Sequence, residues 1–213
     1  MITSPLFRAR ASLLGLVALL AALLAASLLK PAGAAEEHPA QLLVRDNTEQ
    51  MLAFLDQHRD DLDAKQDQID AKVAELILPH LDFDAMTKLA VGKNWRDASR
   101  EQRVQLTAEF RKLLVRTYTK SLTEYSGQKI EFLPYRPQSR EDRAVVSSQF
   151  TQSNGQSVGV EYKLRDRDGW LIYDISIDGI SLVTNYRTSF SQEIQRSGID
   201  GLIASLAEKN AKL

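Results

Sequence analysis

The chain contains no cysteine and only three histidines in 213 residues. Without cysteine there is no disulfide framework and no residue to carry a lipoprotein anchor. The histidines, His38, His58 and His80, are scattered, and none belongs to an H-E-x-x-H pair. His80, which follows Pro79 at a helix-to-loop corner, is open to two readings: a general base or an ordinary corner histidine. A G-x-S-x-G elbow, a phosphate-binding P-loop and a dinucleotide-binding glycine pattern are also absent. Long blocks of one charge sign are missing too. The 27 basic and 28 acidic residues include no extended Lys/Arg run, which argues against nucleic acid as a partner and against tight adsorption to anionic lipid surfaces.

Acidic pairs such as Asp82 with Asp84, or Asp166 with Asp168, are explained as cap and turn residues. Nothing singles out two carboxylates for glycoside hydrolysis. The best enzymatic version is a cone of helices on a curved sheet, of the ketosteroid-isomerase kind. It needs an acid in its apolar pocket, and the apolar strand faces offer none. The expectation is a protein that is not an enzyme.

One long hydrophobic run is present. Arg8 and Arg10 precede 19 apolar or small residues, Ala11 to Leu29, and Ala32-Gly33-Ala34-Ala35 supplies small residues at the −3 and −1 positions of a cleavage site. This pattern predicts a secretory signal peptide over residues 1–35. An uncleaved anchor is the alternative, because the run approaches the length of a spanning helix. The polar Glu36-Glu37-His38-Pro39 directly after it favours cleavage. The expectation is therefore a periplasmic protein with one domain over residues 36–213. Removing residues 1–35 takes away three of the 27 basic residues and none of the 28 acidic ones, leaving 178 residues with net charge −4. That length suffices for a sizeable core.

The remainder reads as helices, then strands, then helices. Leu42, Leu43, Met51, Leu52, Phe54 and Leu55 form a stripe of helical period from Gln41 to about His58. Asp60 to Asp67 reads as a helix end and turn. Ile69, Val73, Leu76 and Ile77 predict a second helix that stops near Pro79. A short amphipathic helix follows from Asp82 to Val91, ending at Gly92. Ser99-Arg100-Glu101-Gln102 is a capping box. It opens the longest expected helix, with Val104, Phe110, Leu114, Tyr118, Leu122 and Tyr125 on one face. After Gly127 the pattern changes to strands at Ile130–Tyr135, Ala144–Phe150, Val158–Leu164 and Trp170–Ile177, with hairpin signals at Asn154-Gly155 and Asp168-Gly169. In the last strand Leu171, Tyr173, Ile175 and Ile177 alternate as one apolar face. Asn185 to Lys212 reads as two helices broken near Gly198. The fold class is α+β: an antiparallel sheet of about four sequential strands, covered on one face by helices.

Several segments, taken together, resemble a known family. They are Asp168-Gly169-Trp170, Tyr173-Asp174, and Gly179-Ile180-Ser181-Leu182-Val183-Thr184-Asn185-Tyr186-Arg187. Further matches lie at Ile77–Phe83 (ILPHLDF), at Leu89–Trp95 (LAVGKNW), at Ser99–Gln102 with Phe110-Arg111, and at Gly198–Leu202 (GIDGL). In this order they resemble the MlaC family, periplasmic phospholipid-binding proteins also named toluene-tolerance auxiliary components. The resemblance implies a phospholipid carrier with acyl tails in an apolar cavity between sheet and helices. It implies exchange with an MlaA-type outer-membrane lipoprotein–porin complex and with an MlaD-type MCE subunit of an inner-membrane ABC transporter. No cofactor is implied, and the transporter hydrolyses any ATP. A periplasmic protein-binding module or chaperone with a dry core is the rival.

Within such a cavity the expected lipid contacts come from two surfaces. The long helix offers Phe110, Leu114, Tyr118 and Leu122. The sheet and its exit offer Val146, Val160, Tyr162, Tyr173, Ile175, Ile180 and Val183. Leu81, Phe83, Met86, Val91 and Trp95 form the expected side wall. Ordinary core packing is the plainer reading of each. Leu122 and Ile180 stand out because each ends an apolar stripe beside a turn. The expected volume lies toward the upper end of the usual pocket range of ~300–1,000 Å³. Arg140, Arg143 and Lys163 are candidates to steer a phosphate, against the reading as solvated surface residues.

Overall fold

The computed structural model describes residues 37–151 and 155–212. The expected signal segment, residues 1–35, and Asn154 of the expected hairpin lie outside them. His38–Leu213 forms one unit. Its first helix, α1 (Pro39–Gln57), starts where His38 Nδ1 accepts from the Ala40 N–H at 3.2 Å and Pro39 takes the first turn. Proline costs nothing there, because that N–H has no helical partner anyway. A 3₁₀ segment (Arg59–Lys65) leads to α2 (Gln66–Leu76) and a 3₁₀ turn (Leu78–His80). The stretch expected as a turn after Asp60 is thus mostly helical, with its kink at Asp61. α3 (Phe83–Val91) is capped by Asp82 and stops at Gly92. A 3₁₀ segment (Gly92–Arg96) then precedes α4 (Arg100–Thr119).

The capping box that opens α4 forms as expected: Gln102 N–H donates to Ser99 Oγ at 3.1 Å, and Ser99 N–H donates to Gln102 Oε1 at 2.9 Å. The buried face of α4 differs from the expected one. Leu106, Phe110, Leu113 and Leu114 are buried, whereas Val104 is 64% exposed. Val104 stands six residues before Phe110, which places it well round the helix from it. Leu122 and Tyr125 belong to a 3₁₀ segment (Lys120–Glu124) and its exit, not to α4 itself.

The sheet is antiparallel, in the order β1 (Lys129–Phe132), β2 (Arg143–Thr151), β3 (Ser157–Asp166), β4 (Trp170–Ile177) and β5 (Ile180–Ser181). Four strands follow the expected order. The fifth is two residues long and joins β4 through the Asp178-Gly179 turn, where both residues have positive φ, as a tight hairpin needs. A 3₁₀ turn (Thr184–Tyr186) leads to α5 (Arg187–Lys212), which breaks at Gly198 with φ 73°, as the sequence predicts.

Pairing is regular from Arg143↔Arg165 to Thr151↔Ser157 but irregular between β3 and β4. Lys163 pairs with Asp174 and Leu164 with Ile172, so Tyr173 is an extra residue, a β-bulge. The bulge resets the alternation. Ile172 and Ile175 share the inner face with Val146, Tyr162 and Leu164, while Tyr173 stands on the outer face beneath the Arg143 guanidinium, 5.3 Å from its ring centre. The expected single face of Leu171, Tyr173, Ile175 and Ile177 is therefore split.

Three apolar clusters hold the layers. α3, α4 and α5 build the largest, with Phe110 edge-on to Tyr186 and Phe190, each at 5.2 Å. The first half of α1 (Ala40, Val44) packs with the inner sheet face at Ala144, Val146, Leu164 and Ile172. Its second half (Met51, Leu55) packs with Leu62 and with Ile69, Val73 and Leu76. Among the described residues no helix is long and apolar enough to cross a membrane.

Candidate functional site

The two clusters built on α1 do not close on each other, and a cavity of about 580 Å³ lies between them. α1 supplies Leu43, Val44, Met51, Leu52 and Leu55. α2 and the turn after it supply Leu76, Ile77, His80 and Leu81. Leu122 and Tyr125 come from the end of the α4 arm, and Ile130, Phe150, Tyr162, Ile172 and Ile175 from the sheet. The volume falls in the middle of the usual pocket range rather than toward its upper end.

Four of the polar residues that border this space, Asn47, Thr48, Tyr125 and Gln128, are satisfied by the protein itself. Asn47 Nδ2 donates to the Leu43 carbonyl at 2.8 Å and Thr48 Oγ1 to the Val44 carbonyl at 2.7 Å, both back onto α1. The Tyr125 hydroxyl donates to Asp56 at 3.0 Å, and Gln128 bonds Ser126 through both ends of its amide. Asp56 is held below its usual carboxylate range by the Arg59 guanidinium and the Tyr125 hydroxyl. Burial pushes the Tyr162 hydroxyl upward, so this phenol stays neutral. Most of this wall offers a ligand apolar contact, with His80, Ser121 and Glu124 as its remaining polar groups. Among the described residues no group of three or more His, Asp or Glu is arranged to hold a metal ion.

Of the residues expected from sequence, Leu81, Leu122, Tyr162 and Ile175 line this cavity. Val146 is buried in the neighbouring cluster, and Val160 sits across from Ser148 and Ile177 without bordering the cavity. Phe83, Met86, Val91, Phe110, Leu114 and Val183 are buried in the α3–α4–α5 cluster, with Trp95 and Tyr118 packed against it. Burial pushes the Tyr118 hydroxyl up to about 12, helped by its bond to Tyr186. Ile180 is 63% exposed on β5, and Tyr173 faces the far side of the sheet. The α1 and α2 contributors did not stand out in the sequence. Their stripe was visible, but a helical stripe says only that a face is covered, not whether protein or a hollow lies opposite.

An antiparallel sheet whose inner face and covering helices wall an apolar hollow defines the class, an α+β domain with an internal apolar cavity. The model of the MlaC protein family matches residues 45–208, well over half of the chain, and the chain belongs to that family. It is 27% identical to the toluene tolerance protein ttg2D of Pseudomonas putida over 160 residues, 74% of either chain. It is 24% identical to the intermembrane phospholipid transport system binding protein MlaC of Haemophilus influenzae over 136 residues, 62% of this chain and 64% of that one. A solved structure of the phospholipid-binding protein from Ralstonia solanacearum, in complex with a phospholipid, matches with a TM-score of 0.73 at 31% identity. The match covers 82% of this chain and 98% of that one.

Proposed function

We propose that the chain is a periplasmic phospholipid carrier, exported by its N-terminal segment, that holds acyl tails in the cavity between α1, α2 and the inner sheet face. It passes lipid between an MlaA-type outer-membrane lipoprotein–porin complex and an MlaD-type MCE subunit of an inner-membrane ABC transporter, and it catalyses no reaction. The observation that carries this reading is the apolar cavity of about 580 Å³. It occurs in a fold shared with a relative solved in complex with a phospholipid. Leu81, Leu122, Tyr162 and Ile175 are the proposed tail contacts, joined by Met51, Leu55, Ile77 and Ile172 from the same lining.

The energetics fit a carrier. Each methylene withdrawn from water gains about 0.8 kcal/mol, so roughly thirty methylenes gain on the order of 20 kcal/mol gross. That quantity opposes unassisted crossing of an aqueous compartment. It largely cancels when lipid moves between a bilayer and an equally apolar cavity, so loading and release are decided at the partner and not by the cavity alone. Organic extraction of the purified protein, followed by thin-layer chromatography, tests the reading. Phospholipid is expected at about one molecule per protein. A protein that purifies lipid-free and takes up none from vesicles would point instead to a dry-cored protein-binding module.

A further inference from the structure

A second hollow, about 820 Å³, opens on the other side of the sheet from the apolar cavity. Its walls differ in kind. Lys88, Lys93, Arg96 and Arg187 stand on the α3 side, Arg140 and Arg143 on the β1–β2 side, and no Asp or Glu lines it. This concentration of cations sits on a chain whose formal net charge is −1. Nearby arginines have acidic partners: Asp82 pairs with Arg165, and a single Asp142 is shared by Arg140 and Arg143. Lys88, Lys93 and Arg96 have no carboxylate partner among the described residues. One wall of the cleft therefore carries uncompensated charge.

The cleft is also braced and extended. The Arg187 guanidinium donates twice to the Leu89 carbonyl, at 3.1 and 2.8 Å, which ties the start of α5 to α3. The Asp82–Arg165 pair ties α3 to β3. A smaller hollow of about 320 Å³ shares Ala85, Lys88, Trp95 and Arg165 with it and continues the basic surface to Arg100, Arg103 and Arg167, with Asp84 as its one acid. Trp95 and Tyr173 also line the cleft, their rings lying beneath the Arg103 and Arg143 guanidinium groups.

We infer that this cleft is a docking groove for an extended, Asp/Glu-rich segment of a partner protein. Its shape and position decide against the other anions. A single phosphate needs one cluster of donors, whereas these cations run along two joined hollows. A planar anionic bilayer engages one flat side of a molecule, whereas these cations stand on two walls, the α3 side and the β1–β2 side. The head group of a lipid held in the apolar cavity is separated from the cleft by the sheet, since Tyr173 lines one space and Ile172 and Ile175 the other. Opposite charge in a pre-shaped groove speeds and orients encounter, and the inference holds whether or not the apolar cavity carries lipid.

The test is fluorescence anisotropy of a labelled Glu-Ala repeat peptide against the purified protein. Saturable binding that weakens steeply with salt is expected, with a loss of about tenfold or more in Lys93→Glu/Arg96→Glu and a smaller loss in Lys93→Gln/Arg96→Gln should the charge reversal disturb folding. Lys72→Glu on α2, which is not among the cleft-lining residues, is expected to bind as wild type. Co-purifying phospholipid is measured on the same proteins and is expected to be unchanged, so failure of lipid carriage and failure of docking are read separately. Equal peptide affinity in all variants overturns the inference. So does binding to phosphatidylglycerol vesicles, or competition by millimolar inorganic phosphate, that depends on Lys93 and Arg96 while peptide binding does not.

Discussion

Asp82 and Arg165 join the helical layer to the sheet through a single carboxylate. One oxygen pairs with the Arg165 guanidinium on β3, and the other accepts from the Ala85 N–H at 2.9 Å to cap α3. The Asp82 N–H itself donates to the Ile172 carbonyl on β4 at 2.8 Å, beside the bridge between Leu81 and Ile172. Asp82→Ala deletes a cap worth roughly 1 kcal/mol and leaves a mostly shielded guanidinium unpaired, at up to about 3–5 kcal/mol when burial is complete. A total loss of about 2–4 kcal/mol is expected, read from urea midpoints at constant slope. Asp82→Asn, which retains an acceptor for the cap, is expected to fall between wild type and Ala.

Phe110 separates core packing from cavity lining. It is fully buried and edge-on to Tyr186 and Phe190. Phe110→Leu is expected to cost roughly 1–2 kcal/mol through lost volume and ring contacts. It is also expected to leave co-purifying phospholipid unchanged, because the residue does not border the cavity. Thermal unfolding and lipid extraction on the same preparation check both halves.

His38 gives the fold a response to acid. Its ring stacks on Tyr135 at 4.1 Å, meets Trp170 edge-on at 5.1 Å, and caps α1 through Nδ1. Burial holds its pKa below the ordinary value of 6.5. The folded state thus binds the proton less readily than the unfolded one. Its contribution is complete above pH 6.5 and is lost as pH falls from there through the folded value. Protonation also removes the acceptor that caps the helix. The urea midpoint is expected to drop between about pH 7 and about pH 5. His38→Asn, which keeps a capping acceptor, is expected to reduce that drop. A parallel pH profile in the variant would remove His38 from the explanation.

Much of the fold was legible where chemistry is local. The Ser99/Gln102 capping box, the Asp82 cap, the break at Gly198 and the bounds Trp170–Ile177 all rest on side chains that act within a few residues of themselves. The sheet face of Tyr173 was not legible, because the bulge that turns it outward lies in the cross-strand pairing with Lys163 and Leu164, which an alternating pattern within one strand does not show. A two-residue strand such as β5 carries no periodicity to read. The site was legible only in part for a related reason. α4 and α1 both show apolar stripes, yet α4 meets α3 and α5 and becomes solid core, while α1 spans two clusters that leave a hollow between them.

Native mass spectrometry of the purified protein with Ile175→Glu, Leu122→Glu and Ile180→Glu tests the lipid cavity most directly. Ile175 and Leu122 line it, and Ile180 stands 63% exposed outside it. A carboxylate in an apolar wall opposes acyl chains strongly, whereas the same charge on β5 meets water. Wild type and Ile180→Glu are expected to carry a mass increment of one phospholipid, and Ile175→Glu and Leu122→Glu, folded by circular dichroism, to lack it. Undiminished phospholipid on both folded cavity variants, or its loss from Ile180→Glu alone, would contradict the assignment.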